Sequence, residues 1–184
     1  MRPFTIRLDV HAHLIPLQEG DVAGLPGVGW TAGQGLRVDG VDMTTASLYQ
    51  PEALVAWMDA NGVQQAWISV PPTLYRQGLE EADARRWAQC LNQGLARAAG
   101  TAPARLAPLF HLPLSHPGVA AELVATAAAT GQRRFAMPVG DAARGLMLSD
   151  ARFEPLWQQL NHAAAFVFMH PSKGCDARYD AFYL

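Results

Sequence analysis

Arg7-Leu8-Asp9-Val10-His11-Ala12-His13 is the stretch on which the reading of this chain turns. Arg7–Val10 ends the first apolar run and reads as the close of a buried β-strand, with His11 and His13 following at i, i+2. Residues two apart on a strand share a face. The spacing therefore sets two imidazoles side by side, able to grip one divalent cation. Imidazole suits Zn, Fe, Ni or Cu, and zinc takes three or four such donors in tetrahedral array. By itself an HxH pair is a weak signal, since most histidine pairs in folded proteins serve as hydrogen-bonded structure. The rest of the chain has to supply the further donors.

The chain has 184 residues, half of them hydrophobic, with a formal net charge of −2. That length accommodates one ordinary domain with a real core. There is no basic stripe, only the short pairs Arg85-Arg86 and Arg133-Arg134, so no nucleic-acid partner is expected. Two cysteines, Cys90 and Cys175, do not make a disulfide framework. No stretch has the pattern of a signal peptide or a membrane span. These features together predict a cytoplasmic protein that does not engage a membrane.

Working outward, strand-like and helix-like segments alternate. Thr5–Val10 is the first strand, and residues 16–50 follow as a long loop or lid insertion rich in Gly and Pro. Pro51 opens a helix that stops at Asn61-Gly62, and Val63–Val70 is the second strand. A helix over 79–99 carries Trp87, Leu91, Leu95 and Ala98 on one face, with acidic residues first and Arg97 last. Arg105–Leu114 reads as one strand, limited in its pairing by Pro108 and Pro113. Pro117 opens a helix that ends at Gly131, and Phe135–Val139 is a poorer strand. Asp150 caps a short helix, and the apolar run Ala163–Met169 leads into His170-Pro171.

That order predicts an α/β protein in which a parallel sheet is covered by helices. Two topologies fit: an open doubly wound sheet, or part of a TIM-type (β/α)8 barrel within a single domain over 1–184. No Gly-rich phosphate fingerprint follows the first strand, as a dinucleotide fold would require. Polar residues fit for chemistry close the first and fifth strands, where barrels carry their active sites, so the barrel is the expectation. His170 would then face His11 and His13 across the barrel mouth.

"LDVHAHLIP" (8–16), "GVQQAWISVPP" (62–72), "LSDARFEPLWQQL" (148–160) and "FVFMHP" (166–171) together resemble the amidohydrolase superfamily. The similarity is to the branch that contains aminocarboxymuconate-semialdehyde decarboxylase, and it runs from about residue 8 to 171. It implies a distorted (β/α)8 metal-dependent hydrolase barrel holding one divalent metal, usually zinc. His11 and His13 match the family's strand-one ligands and His170 its strand-five ligand. The implied activity is that of a metal-dependent decarboxylase (carboxy-lyase) or hydrolase acting on a small carboxylated aromatic or muconate-type compound.

The family also supplies a catalytic His from strand six and a metal-bound Asp from strand eight. Both would lie beyond Leu184, so no catalytic residue is assigned and about five strands are expected. Asp176 and Asp180 are weak substitutes. No Arg occupies 44–50, where the decarboxylase holds a substrate carboxylate. Arg37 and Arg178 are the substrate-binding candidates in its place. His111 is expected to be a buried, hydrogen-bonded residue, and Trp30, Trp57 and Trp67 to be packing. A second reading is a non-catalytic truncated barrel needing a partner chain or self-association, because unpaired edge strands invite pairing. A homo-oligomer, or the remainder of the barrel, is the expected partner.

Overall fold

A computed structural model describes residues 5–31, 35–141 and 145–171. The chain divides into two compact units, one of residues 1–71 with 89–109 and the other of residues 72–88 with 110–184.

In the first unit, β1 (Ile6–His13), β5 (Val63–Ser69) and β6 (Leu106–Pro108) form a parallel sheet in the order β1-β5-β6. Helix α1 (Pro51–Asn61) leads into β5. Pro51 stands at its first turn and Gly62 terminates it in the left-handed region at φ 68°. Both boundaries agree with the sequence reading, because Pro lacks only an N–H that a first turn does not use, and Gly carries no Cβ to clash. Ile68, Ala66 and Val63 of β5 are buried, together with Met58, Leu91, Leu95 and Leu106.

The first strand differs from expectation. It runs to His13 instead of ending at Val10, because pairing to β5 continues through Ala12↔Ile68 and His13↔Ser69. The register slips between Asp9 and Ala12, which marks a bulge beside the histidines. The strand is also less buried than its apolar residues suggest, with Leu8 and Val10 exposed.

Residues 16–50 are not structureless. They contain β2 (Val28–Thr31), β3 (Gly35–Val38) and β4 (Val41–Asp42), an antiparallel sheet in the order β2-β3-β4. Asp39 and Gly40 join β3 to β4, both with positive φ (47° and 84°). That is the two-residue turn whose twist suits a hairpin, and the Asp-Gly pair is its sequence signature. Leu36 and Val38 point into a small core. The Tyr49 hydroxyl accepts from Leu36 N (3.0 Å) and donates to the Met43 carbonyl (2.7 Å), stapling the segment to itself. A cleft of about 780 Å³ is lined by Trp30, Asp42, Thr44, Tyr49 and Gln50, among others.

In the second unit, β7 (Phe110–His111), β8 (Arg134–Pro138) and β9 (Phe166–His170) form another parallel sheet, ordered β7-β8-β9. Helices α3 (Pro117–Ala129) and α4 (Glu154–His162) are its crossovers. Phe135, Met137, Leu112, Val124, Phe153 and Leu156 make its core. The Asp150 side chain caps the turn before α4 by accepting from Arg152 N (2.9 Å).

Helix α2 (Glu81–Gly100) contributes Glu81–Ala88 to the second unit and Gln89–Gly100 to the first. Trp87, Leu91, Leu95 and Ala98 are buried, as their spacing predicts. The single strand expected over Arg105–Leu114 is two. β6 pairs with β5, and β7, one residue later, pairs with β8. Pro108 has no N–H to extend the first ladder, and Leu109 N closes it on the Ile68 carbonyl (2.8 Å). Trp57, expected in the core, is half exposed. No helix among the described residues is long and apolar enough to cross a membrane.

Gly94 is the tightest point of the first unit: a Cβ there would lie 2.2 Å from the Pro16 carbonyl oxygen. Gly94→Ala should therefore destabilise the protein, although Ala is the better helix former by about 1 kcal/mol. Overpacking of this kind costs about 1–3 kcal/mol. Thermal unfolding followed by circular dichroism should show a Tm lowered by several degrees.

Candidate metal centre

β1 delivers two of the expected ligands. The Nε2 atoms of His11 and His13 lie 3.1 Å apart, with ring centroids 4.8 Å apart and planes nearly perpendicular at 88°. The bulge between Asp9 and Ala12, within which His11 lies, and the Asp9 carboxylate, which accepts from His11 N (2.9 Å), fix the backbone there. Asp9 thus anchors main chain.

His13 is oriented from the neighbouring strand. Its Nδ1 lies 3.1 Å from Ser69 Oγ, and Ser69 is buried. When Nδ1–H donates to that hydroxyl, the lone pair is left on Nε2. Metal-binding histidines regularly engage their other ring nitrogen in this manner. Two nitrogens on one zinc at about 2.0–2.1 Å stand roughly 3.3 Å apart in tetrahedral geometry. The 3.1 Å separation is close to that, so the pair fits a cation. A proton on His11 Nε2 satisfies the same contact, which sets protons and metal in competition for it.

In the second unit His170 is the last residue of β9, and its Nδ1 lies 2.5 Å from the Pro171 carbonyl oxygen. A carbonyl only accepts, so Nδ1 carries the proton and Nε2 the lone pair. Phe168 and Tyr75 both meet the His170 ring edge-on, with centroids at 5.8 and 6.1 Å. Tyr75 in turn stacks on His111 at 5.1 Å and 14°.

Arg37, a substrate-binding candidate from sequence, lies on β3 and forks onto Asp42 across the hairpin at 2.7 and 3.0 Å. Arg178, Asp176 and Asp180 fall outside the described residues. His116, at the start of α3, points Nε2 at the Leu79 carbonyl (2.9 Å). The Tyr75–His111 pair was not foreseen as part of any site. Tyr75 has no motif around it, and only the apolar setting of His111 pointed to burial.

His111 is fully buried, which pushes its pKa down to about 4 from 6.5. The same burial pushes the Tyr75 phenol up. For His111 the unfolded chain takes up a proton between about pH 6.5 and 4 that the folded chain refuses. Its contribution to stability is thus complete above pH 6.5 and lost as pH falls through the lower value, a difference on the order of 3 kcal/mol. Tm measured against pH should fall less steeply across that window in His111→Phe than in the wild type.

No family model matches the sequence. Solved structures do match the fold. A dihydroxybenzoic acid decarboxylase from Polaromonas sp. JS666, with bound manganese and 2-nitroresorcinol, superposes at a TM-score of 0.71 with 16% identity. That match covers 98% of this chain and 53% of the other. A 5-carboxyvanillate decarboxylase from Novosphingobium aromaticivorans DSM 12444, with manganese and 4-hydroxy-3-methoxy-5-nitrobenzoic acid, gives 0.70 and 18% over 99% of this chain and 55% of its own. An amidohydrolase II structure gives 0.68 and 19%, over 92% and 52%. The chain spans about half the length of each, and over that span it shares their parallel β/α fold.

Proposed function

We propose that this chain carries part of the active centre of a metal-dependent carboxy-lyase, with His11, His13 and His170 as ligands to one divalent cation. The substrate class is a small aromatic carboxylic acid. The observation that carries the reading is the nitrogen arrangement: His13 and His170 each engage Nδ1 in a hydrogen bond, which leaves Nε2 open to a cation when Nδ1 donates, and His11 Nε2 stands beside that of His13. The fold similarity to decarboxylases crystallised with manganese supports the choice of reaction.

Such a cation would polarise a substrate oxygen and stabilise the negative charge that develops as a carboxylate departs. The protein's own part is to aim the imidazoles. Ser69 does so for His13 and the Pro171 carbonyl for His170. An all-imidazole set favours zinc over manganese, in line with the general affinity order of divalent metals. Arg37 and Arg178 remain the proposed carboxylate partners, and Arg37 would have to leave Asp42 to serve.

An independent observation favours a second reading. Among the described residues, strands β1 and β9 are edges of their sheets, and Leu8, Val10, Phe166 and Met169 on them are exposed. Edges of this kind accept further strands. On that reading the chain is a non-catalytic element that self-associates or packs on further β/α units. Sedimentation velocity over a concentration series should then show a concentration-dependent dimer, whereas a stable monomer at all concentrations rules out self-association.

Metal content and ligand binding test the first reading. The purified protein should bind one zinc or manganese per chain. Loaded protein should bind 2,6-dihydroxybenzoate or 5-carboxyvanillate more tightly than metal-free protein does. His13→Ala and His170→Ala should abolish stoichiometric binding, and Ser69→Ala should weaken it about 10–100-fold. A wild-type chain that binds no divalent metal overturns the proposal.

A further inference from the structure

We infer that Tyr75 is a positioning residue for His170: its ring, braced face-on by His111, sets the plane of the His170 imidazole. In that plane Nδ1–H reaches the Pro171 carbonyl and Nε2 presents its lone pair. The inference rests on the reading of His170 as a metal ligand for its functional meaning, and on the second unit alone for its geometry.

Tyr75 is held more firmly than its place in a connecting segment suggests. Its backbone N–H donates to the Pro72 carbonyl (3.0 Å), closing a turn. Trp87 Nε1 donates to the Leu74 carbonyl (2.7 Å), tying the preceding residue to α2. The following residue, Arg76, lays its guanidinium over the Trp87 ring at 5.2 Å. It also adopts a left-handed backbone, φ 34°, which a side chain rarely takes unless its surroundings impose it. One buried indole therefore secures the chain on both sides of Tyr75.

The ring so fixed meets two imidazoles. His111 stacks on its face at 5.1 Å and 14°, and His170 meets it edge-on at 6.1 Å and 83°. Perpendicular aromatic contacts at such distances are directional, because the positive edge of one ring seeks the negative face of another. Turning the His170 ring about its Cβ–Cγ bond would lose this contact and the Nδ1 hydrogen bond together. The Tyr75 hydroxyl is buried and has no hydrogen-bond partner among the described residues. It is therefore the ring, and not the hydroxyl, that the geometry puts to use.

The test is long-range 1H–15N NMR of the histidine side chains in the full chain, at a pH where the imidazoles are neutral. Tyr75→Phe keeps the ring and Tyr75→Leu removes it. Wild type and Tyr75→Phe should show His170 as a single Nδ1–H tautomer, whereas Tyr75→Leu should give averaged nitrogen shifts. Zinc affinity by chelator competition should be unchanged in Tyr75→Phe and about tenfold weaker in Tyr75→Leu. If Tyr75→Leu does not fold, Tyr75→Met fills the volume without a planar face and carries the same comparison. A ring-less variant that keeps the single tautomer overturns the proposal, as does a Tyr75→Phe variant that loses it. If the wild type binds no metal while the tautomer responds as expected, the metal reading fails and the positioning role stands.

Discussion

The hydrogen bond between Ser69 and His13 is the constraint on which the site in the first unit depends. It exists because β1 and β5 pair in a parallel register that sets His13 opposite Ser69. Ser69 is buried, so its hydroxyl has little freedom to turn elsewhere. When Nδ1–H donates to that hydroxyl, the ring's lone pair is left on Nε2. Nε2 of His13 is then a lone-pair donor standing 3.1 Å from that of His11. Two lone pairs at this separation repel, and a cation or a proton between them converts repulsion into binding. Strand register, a property of backbone hydrogen bonding, thereby becomes a property of the chemistry.

His170 reaches the same tautomer by a different device. Its partner is the main-chain carbonyl of Pro171, which cannot donate and so leaves no choice of proton position. Aromatic rings hold it where Ser69 holds His13. The two arrangements share a logic: an imidazole on the end of a strand, aimed by a neighbouring group. Sites mounted on regular elements and supported in this manner keep their geometry more closely than sites on loops.

The scaffold around them is built from close approaches more than from polar bonds. Gly94 lets α2 lie against the Pro16 carbonyl, at a separation no other residue permits. The insertion between β1 and α1 is folded on its own account. Tyr49 ties two of its backbone groups, and Arg37 and Asp42 form an ion pair across its hairpin. An exposed pair of that sort adds little, so the buried Leu36 and Val38 do more to hold the segment.

Much of this was legible in the chain. The i, i+2 histidines, the Pro51 and Gly62 boundaries of α1, the buried stripe of α2 and the strand-end place of His170 follow from periodicity and from residues with few conformational options. The hairpin at Asp39-Gly40, in a segment expected to be a loop, was not read, because its strands are too short to show an alternating pattern. What the sequence by itself determined is therefore which residue types stand at the ends of parallel strands. Tertiary structure alone decided the bulge in β1, the division of 105–114 between two sheets, and the partners of each ring: Ser69 for His13, and Tyr75 with His111 beside His170. Those depend on contacts between residues far apart in the chain, and local pattern carries no record of which distant side chain will fill a given space.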